Sequence, residues 1–450
     1  MQRRSPDAQR SPVRPRPCLA PNAGPGSMRS LFAVAALAVV ALTATSMPAW
    51  AQAPRKIVYG TNIDPNNTQD PRAGAQARIL EAFRKAHPDI EVQLDVDPRG
   101  DAHLRALRAR SKSVDVIKVA GHSLPEAVAT GQLTPLDDLI NADKVSTTDW
   151  LIPLSDSGIG GKIYGLPLDY RMPLLLFRKS ALAKAGVQPP RTWAEVCEVG
   201  PKLAKVRPVG YAIPLGQGGG AQAFDELMFS SMVSAATQKY FAPDNRKLLV
   251  TKDQFVRAAK TVTDLFGKCG ATPAASQQFG YNEIHDGLRA DTVAMANFGM
   301  YRFAAIANGG AGDDLGWAAA PAYEPNGKQT VKGYLAVLNK ASANQKDAWE
   351  FLKFMGSPEA QAIAAEGGEV VARASVYDAA PYFATPAGLR QKAWAAEIRQ
   401  RGFWPSYPMS ASAYNRELIE TFQKIVLGQI TPEQGYDTFV ARYQAILDKE

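Results

Sequence analysis

The chain has 450 residues, 51 of them Lys or Arg and 43 Asp or Glu, which gives a formal net charge of +8. Because 46% of the residues are hydrophobic, the chain is able to bury a large core, and this composition excludes a disordered or fibrous protein. The length predicts two or three domains. The positive charge would indicate nucleic-acid binding only if it lay on one face of the folded protein.

The basic residues in excess are concentrated near the N terminus. Residues 1–27 hold five Arg, one Asp and six Pro without an apolar period, so we expect a disordered leader there. From Met28, a short basic start is followed by an apolar run over 31–42 and by Ala49-Trp50-Ala51, a small-x-small cleavage signal. Residues 28–51 are therefore typical of a secretory signal peptide, with a membrane anchor as the alternative. We expect translation to start at Met28.

The chain that remains after cleavage is nearly neutral. Removal of residues 1–51 leaves 45 basic and 42 acidic residues, so nucleic acid is not expected as a partner. Two cysteines remain, Cys197 and Cys269, in a compartment that permits oxidation. They form either a disulfide or two buried thiols, and the sequence does not decide between these.

Strands and helices alternate from the start of this chain. Alternating or helical spacing of apolar residues predicts strands over 56–62, 90–96 and 114–119 and helices over 73–86, 101–110 and 123–131. Strands separated by single helices are typical of parallel βαβ units, which bind ligands at the carboxyl ends of their strands. The loops after Asn62, after Val119 and after the next strand are therefore the first places to expect a site.

Helices dominate the rest of the chain. Thr192 opens a helix with a Thr-x-x-Glu capping box, and Ser357-Pro358 and Thr431-Pro432 are further helix starts. Residues 386–450 are predicted to be helical throughout. These features stabilise helices and indicate no particular function.

The motifs of metal and nucleotide chemistry are missing from the sequence. The four His residues are scattered without a His-Glu-x-x-His pattern, and no Cys-x-x-Cys occurs, so a zinc site is not expected. The glycine-rich stretches 158–162 and 216–220 do not continue into Gly-Lys-Ser/Thr, and residues 95–106 lack the bidentate Glu of a calcium loop. We expect neither a metal nor a cofactor, and no catalytic residue is marked.

Aromatic residues lie beside polar ones in several predicted loops. Examples are Asp169-Tyr170-Arg171, Asn297 to Tyr301, Gly333-Tyr334 and residues 403–407. Sugars are bound by such mixtures, because a ring covers the apolar C–H face of a pyranose while planar polar groups bond its hydroxyls. Each ring taken singly could equally belong to the core.

In their order along the chain, several segments resemble the family 1 extracellular solute-binding proteins, the maltose-binding-protein-like periplasmic receptors of ABC sugar importers. The similar segments are residues 115–117, 127–137, 161–167, 174–179, 185–195, 287–295, 333–337, 348–355 and 357–361. They extend over nearly all of residues 56–450. No single segment is diagnostic, but the ordered set is specific.

The resemblance implies an α/β protein with the two-lobed, type II-like periplasmic binding protein fold. It implies discontinuous lobes, 52–168 plus 325–373 and 169–324 plus 374–450. A hinge would cross near 168–173, 320–324 and 373–376. It further implies a monomer without enzymatic activity that is exported to the periplasm. There the protein would bind a carbohydrate in the interlobe cleft and deliver it to the transmembrane subunits of an ABC permease.

The resemblance also assigns candidate ligand contacts to positions of this sequence. They are Asn62, Asp64, Asn66, His122, Asp169, Tyr170, Arg171, Asn297, Tyr301, Gly333, Tyr334 and Arg373. Where the family often has a Gly-x-x-Pro-Thr-Arg-like stretch, this chain has residues 367–373, and this departure weakens the assignment of Arg373. Trp193 is expected to be structural, in the helix that Thr192 opens.

The charge of the ligand stays open at this point. A neutral mono- or oligosaccharide is the first interpretation. Arg171, Arg302 and Arg373 leave an anionic solute, such as a sugar acid or glycerol phosphate, as the second, because Arg side chains match carboxylate and phosphate geometry. A secreted glycosidase or polysaccharide lyase is a remote alternative.

Overall fold

A computed structural model of the protein describes residues 54–68, 70–98, 100–216, 241–242 and 246–449. By its contacts the chain divides after Ala51, and the described residues belong to the second unit, Gln52–Glu450. The predicted leader and signal peptide, and most of the glycine-rich stretch 216–220, lie outside the described residues. The fold below is that of the second unit.

The strands of this unit form two principal sheets. In chain order the strands are β1 (Arg55–Thr61), β2 (Ile90–Val96), β3 (Val116–Ala120), β4 (Gly165–Arg171), β5 (Pro173–Arg178), β6 (Val209–Ala212), β7 (Val293–Gly299), β8 (Leu315–Ala319), β9 (Gln329–Thr330), β10 (Lys332–Leu338) and β11 (Gly402–Phe403). In the described part of the chain, the larger sheet has the order β2-β1-β3-β10-β4 and the smaller sheet β6-β7-β5-β8. We call the regions around them the N-terminal and C-terminal lobes.

Helices surround both sheets. They are α1 (Pro71–Ala86), α2 (Asp101–Arg108), α3 (Leu124–Ala129), α4 (Asp137–Ala142), α5 (Lys179–Ala185), α6 (Trp193–Ala204), α7 (Lys252–Phe266), α8 (Tyr281–Arg289), α9 (Phe303–Ile306), α10 (Gln345–Met355), α11 (Pro358–Glu366), α12 (Val376–Ala379), α13 (Pro386–Arg401), α14 (Ala411–Val426) and α15 (Pro432–Leu447). Single 3-10 turns cover Gly121–Ser123 and Met300–Arg302.

Local sequence explains where these helices begin and where one prediction fails. Ser357 and Thr431 cap α11 and α15 through their side-chain oxygens, and Pro follows each of them, as predicted. The prediction of continuous helix over 386–450 is wrong. The chain leaves the helix after Arg401 and forms β11 and an extended segment before α14, because Pro405 and Pro408 cannot donate helical hydrogen bonds.

The larger sheet is mixed rather than parallel. β1 pairs in parallel with both β2 and β3, as the predicted βαβ units require. β10 enters between β3 and β4 and is antiparallel to both. The chain leaves this sheet at Arg171 and begins the smaller sheet at Pro173, so Met172 alone separates β4 from β5. The return passes through the segment between β8 and β10.

Helix α13 contacts both lobes. The Gln391 side chain donates to the Ala365 carbonyl at the end of α11, whereas the Trp394 ring packs edge-on against Trp317 of β8. At the last turn, Arg401 donates to the Ala320 carbonyl. A continuous helix therefore lies alongside the connection between the sheets.

A disulfide within the C-terminal lobe resolves the alternative left open by the sequence. Cys197 of α6 is bonded to Cys269, which follows α7, and their Cα atoms lie 4.9 Å apart. Close packing brings the two segments together, since a Cβ on Gly200 would lie 2.3 Å from the Cβ of Ala271. Trp193, at the start of α6, is buried beside Tyr211, in agreement with a structural role.

Candidate interlobe ligand site

Strand register brings the predicted loops to one edge of the larger sheet. β1 and β3 are parallel and both end at this edge, so the segments that carry Asn62 and His122 meet there. β10 begins at the same edge, where Lys332 pairs with Arg171 at the end of β4. In the smaller sheet, Pro173 pairs with the last residue of β7. The ends of β1, β3, β4 and β7 and the starts of β5 and β10 therefore converge at the junction of the lobes.

A cavity of about 580 Å³ lies at this junction. Residues from both sheets and from the connections between them line it: Ala120, His122, Arg171, Met172, Pro173, Gly299, Tyr301, Thr330, Lys332, Gly333 and Tyr334. We call it the interlobe cavity.

Arg171 occupies the wall of this cavity, and protein carboxylates bind its guanidinium group. Its Nε lies 3.0 Å from Oδ1 of Asp169, and its Nη2 lies 3.1 and 3.2 Å from the two carboxylate oxygens of Glu369. The Cζ atom is 4.9 Å from the ring centre of Tyr301 and 4.8 Å from that of Tyr334. The Arg171 guanidinium therefore contacts a ring from each lobe.

Further charges surround these carboxylates and, with them, line a separate cavity. Nη1 of Arg72 lies 3.7 Å from Glu369 Oε1, and Arg72 also pairs with Asp70. Lys118, which is 6% exposed, places its Nζ 4.7 Å from the Tyr334 ring centre. Three cations and three carboxylates thus balance one another beside the interlobe cavity.

The two carboxylates that bind Arg171 have pKa values shifted in opposite directions, that of Asp169 upward and that of Glu369 downward. Burial raises the pKa of Asp169 despite Arg171 beside it, and the charge of Glu369 adds to that rise. Burial also acts to raise the pKa of Glu369, but Arg171, Lys118 and Arg72 outweigh it, so this pKa lies below its ordinary value. Glu369 therefore keeps its negative charge, which holds Arg171 in place.

The two tyrosine rings of the cavity are held in different ways. The Tyr334 hydroxyl accepts a hydrogen bond of 3.1 Å from Nδ2 of Asn62. Tyr301 is 40% exposed and stacks nearly parallel to Tyr281, at 6.4 Å between ring centres. A Cβ on Gly299 would lie 2.4 Å from the Tyr301 ring, so glycine is needed there for the ring to approach the strand.

Several polar atoms at or near the cavity have no hydrogen-bond partner within the described ranges. They are Oδ1 of Asn62, Oγ1 of Thr330, and both amide atoms of Asn297 in β7. Buried polar atoms are normally hydrogen-bonded to protein, water or ligand, so these atoms are positioned to bond a ligand or water. His122 is exposed to solvent on one side; the protein on its other sides and the charge of Lys332 lower its pKa.

The structure brings together six of the twelve predicted contacts. His122, Arg171, Tyr301, Gly333 and Tyr334 line the cavity, and Asn62 bonds Tyr334. The other six do not line it: Asp64, Asn66, Asp169, Tyr170, Asn297 and Arg373. Asp64 and Asn66 lie on an exposed turn closed by the hydrogen bond from the Asn66 amide to Asp64.

Tyr170 and Arg373 face other parts of the N-terminal lobe. Tyr170 is 1% exposed, and its hydroxyl donates to the Ile152 carbonyl. Because residues 169–171 form a strand, Tyr170 points to the face opposite to Asp169 and Arg171. Arg373 donates to the Gly356 carbonyl at 2.7 Å and covers the ring of Trp150.

The aromatic segment 403–407 packs beside a different cavity. Trp404 is 4% exposed and lies edge-on to Tyr170, and Tyr407 donates to the Val331 carbonyl. With Gly121, Pro125 and residues 155–161, this segment lines a cavity of about 790 Å³ on the Tyr170 side of the larger sheet. The segment also contacts a wall of the interlobe cavity, since the Tyr407 ring lies edge-on to His122 with 6.3 Å between ring centres.

Lys118, Glu369, Thr330 and Lys332 belong to the cavity or its charged surroundings, and the sequence did not single them out. Lys118 carried a usable signal, because a lysine within the apolar strand Val116–Ala120 requires an explanation. Glu369 carried none, since it lies 198 residues from its partner Arg171.

The described residues hold neither a membrane-crossing helix nor a cluster of metal-binding side chains. No helix there combines the length and the apolar character that crossing a membrane requires. In the same ranges, no three His, Cys, Asp or Glu side chains come close enough together to hold a metal ion.

Comparisons with known proteins identify the family. The model of the bacterial extracellular solute-binding protein family matches residues 66–362. The arabinooligosaccharide-binding protein of Bacillus subtilis is 23% identical over 305 residues, which cover 62% of this chain and 66% of that protein. The putative ABC transporter periplasmic-binding protein YcjN of Escherichia coli is 22% identical over 311 residues, covering 64% and 67%. The matched regions thus span about two thirds of these relatives.

Solved structures show the same fold. The sugar-binding protein MalE of Xanthomonas citri superposes with a TM-score of 0.72 at 20% identity, covering 88% of this chain and 98% of that one. The GacH receptor of Streptomyces glaucescens gives 0.71 at 19% identity, covering 88% and 99%. The predicted two-lobed fold is thereby confirmed. Because the family model spans more than half of the sequence, the chain belongs to the bacterial extracellular solute-binding protein family.

Proposed function

We propose that this protein is the substrate-binding component of an ABC importer and that it captures a mono- or oligosaccharide in the interlobe cavity. Family membership supports a binding role without a covalent step. The arabinooligosaccharide-binding relative and the sugar-binding MalE structure support a carbohydrate as the ligand.

The combination of tyrosine rings and unpartnered oxygens at the cavity carries this proposal. Tyr301 and Tyr334 supply aromatic surface from the two lobes. Within the described residues, Oδ1 of Asn62 and Oγ1 of Thr330 have no hydrogen-bond partner. Sugar hydroxyls would satisfy these oxygens while C–H faces covered the rings. We assign ligand contact to these four residues and to His122.

The bonding of two of the three arginines named above, Arg171 and Arg373, supports a neutral ligand over an anionic one. Arg171 uses its fork on Asp169 and Glu369 and is not free to bind a carboxylate or phosphate in the same way. Arg373 donates to a backbone carbonyl outside the cavity. Among the described residues, the lining of the cavity includes no carboxylate, whereas a glycosidase needs two acids that flank its substrate.

Transport would depend on closure of the lobes around the sugar. We assign residues 52–171 plus 325–373 to one lobe and 173–324 plus 374–450 to the other, which moves the predicted boundary at 168 to Met172 because Asp169, Tyr170 and Arg171 belong to β4 of the larger sheet. A rotation between these lobes would enclose the ligand. The closed form is the one that the permease would recognise, and ligand shifts the population toward it. Cleavage of residues 28–51 would release a periplasmic monomer, and the disulfide suits that oxidising compartment.

A thermal-shift screen tests the proposal. The panel contains neutral mono- and oligosaccharides, uronic acids and glycerol phosphates. A ligand at 100 times its Kd stabilises the folded state by about 2.7 kcal/mol. Stabilisation by a neutral saccharide supports the proposal. Stabilisation by acidic compounds alone would replace it with the anionic-solute receptor, and release of product from a glycan would show an enzyme instead.

A further inference from the structure

A row of aromatic and cationic groups crosses from one lobe to the other through Arg171. Tyr281 stacks on Tyr301 in the C-terminal lobe, with an angle of 6° between the rings. The Arg171 guanidinium follows at 4.9 Å from the Tyr301 ring centre and 4.8 Å from that of Tyr334. Nζ of Lys118 lies over the Tyr334 ring at 4.7 Å. We call these five residues the tyrosine–cation row.

The carboxylates anchor the middle of this row. The hydrogen bonds from Arg171 to Asp169 and Glu369 fix the plane of its guanidinium group. A guanidinium that is held in plane by carboxylates still offers its faces to aromatic rings. Glu369 is itself held by Arg72 and does not line the interlobe cavity. The orientation of Arg171 is therefore set by groups that a ligand in the cavity does not contact.

We propose that Arg171 is a positioning residue. It holds Tyr301 of one lobe and Tyr334 of the other in the orientation that receives the saccharide, and Arg171 does not itself bind the ligand. This rests on the proposed carbohydrate function. Its physical basis is the 40% exposure of Tyr301, whose ring has open solvent on part of its surface and depends on stacking for a fixed orientation. Direct binding of the ligand by Arg171 is the competing account.

The first test needs no ligand. Fluorotyrosine is incorporated, and the resonances of Tyr301 and Tyr334 are assigned by Tyr→Phe variants and followed by fluorine NMR. Arg171→Lys keeps the charge but loses the planar fork, so both resonances should shift or broaden. Arg178→Lys is the matched control, because Arg178 is a buried β5 arginine that pairs with Asp314 outside the cavity. Unchanged Tyr301 and Tyr334 resonances in Arg171→Lys would overturn the proposal.

The second test is a double-mutant cycle on affinity, with maltose, maltotriose and arabinotriose as probes. Arg171→Lys should weaken binding about ten-fold, the range of a desolvated cation–π contact. In a Tyr301→Leu background, the same change should cost less than about two-fold, because Asn62 still holds Tyr334 and the main effect of Arg171 passes through the missing Tyr301 ring. A full ten-fold loss in both backgrounds would show that Arg171 binds the ligand and would refute the positioning role.

Glu369→Gln provides an independent variant if Arg171→Lys does not fold. It leaves Arg171 in place but weakens one anchor, and it should shift the same two tyrosine resonances and weaken binding by a smaller factor. Wild-type protein that binds none of the three probes would count against the proposed function, whereas the fluorine spectra would still decide the role of Arg171.

Discussion

Removal of the Cys197–Cys269 disulfide should lower the stability of the protein by a calculable amount. The bridge closes a loop with a sequence separation of 72 residues. The loss of chain entropy in the unfolded state then corresponds to about 4 kcal/mol at 25 °C. Unfolding entropy of roughly 2.1 cal/mol/K per residue, summed over the chain from Gln52 on, converts this into a Tm decrease of about 5 °C. Replacement of both cysteines by serine should produce that decrease without loss of the fold.

Differential scanning calorimetry with and without a reducing agent measures the effect. Reduction should lower the Tm of the wild type toward that of the Cys197→Ser/Cys269→Ser variant. The Tm of the variant should not change, so the variant is the control for unspecific effects of the reducing agent. Both cysteines are partly exposed, so the bond is open to the reagent. Two free thiols in non-reducing mass spectrometry, or a wild-type Tm that does not respond to reduction, would refute the reasoning.

Three further predictions concern packing and charge. Gly333→Ala places a Cβ 2.1 Å from the Asp169 carbonyl oxygen, so it should lower the free energy of unfolding by about 1–3 kcal/mol, measured by thermal unfolding. As its contrast, Gly74→Ala in α1 meets open space and should raise the free energy of unfolding by up to about 1 kcal/mol. Burial acts to raise the pKa of Asp314, but hydrogen bonds from a serine and an arginine outweigh it and lower the pKa. Asp314→Asn should therefore destabilise the protein at neutral pH. The difference in unfolding free energy between wild type and variant should shrink as the pH falls below about 4. Tyr170→Ala should cost about 3 kcal/mol of stability, since this ring is 1% exposed.

The first strands and helices were predictable because their signals are local. Ile90–Val96 alternates apolar and polar residues and forms β2 over the predicted range. The parallel arrangement of β1, β2 and β3 follows from short helical connections. The insertion of β10 beside β3 was not predictable, because Tyr334 and Ala120 are paired across more than two hundred residues. No local pattern specifies such a partner.

The site was predictable as a set of loops but not as a set of side chains. Asp169-Tyr170-Arg171 looked like a hinge loop with three polar groups, yet it is a strand, and alternation turns Tyr170 to the opposite face. Arg171 looked like a free fork for an anion, but Glu369 arrives from a distant segment and occupies it. Ion pairs between remote segments are visible only in the folded chain.

The single residue between β4 and β5 restricts how the lobes can move. Arg171 and Pro173 belong to different sheets, and only Met172 separates them. Consecutive Cα atoms are about 3.8 Å apart, so the lobes cannot slide past one another at this point by more than a few ångströms. In the closure proposed above, we therefore expect the axis of rotation between the lobes to pass close to Met172. Distance probes placed on α1 and on the end of α14 should report large displacements, whereas probes near Met172 should report almost none.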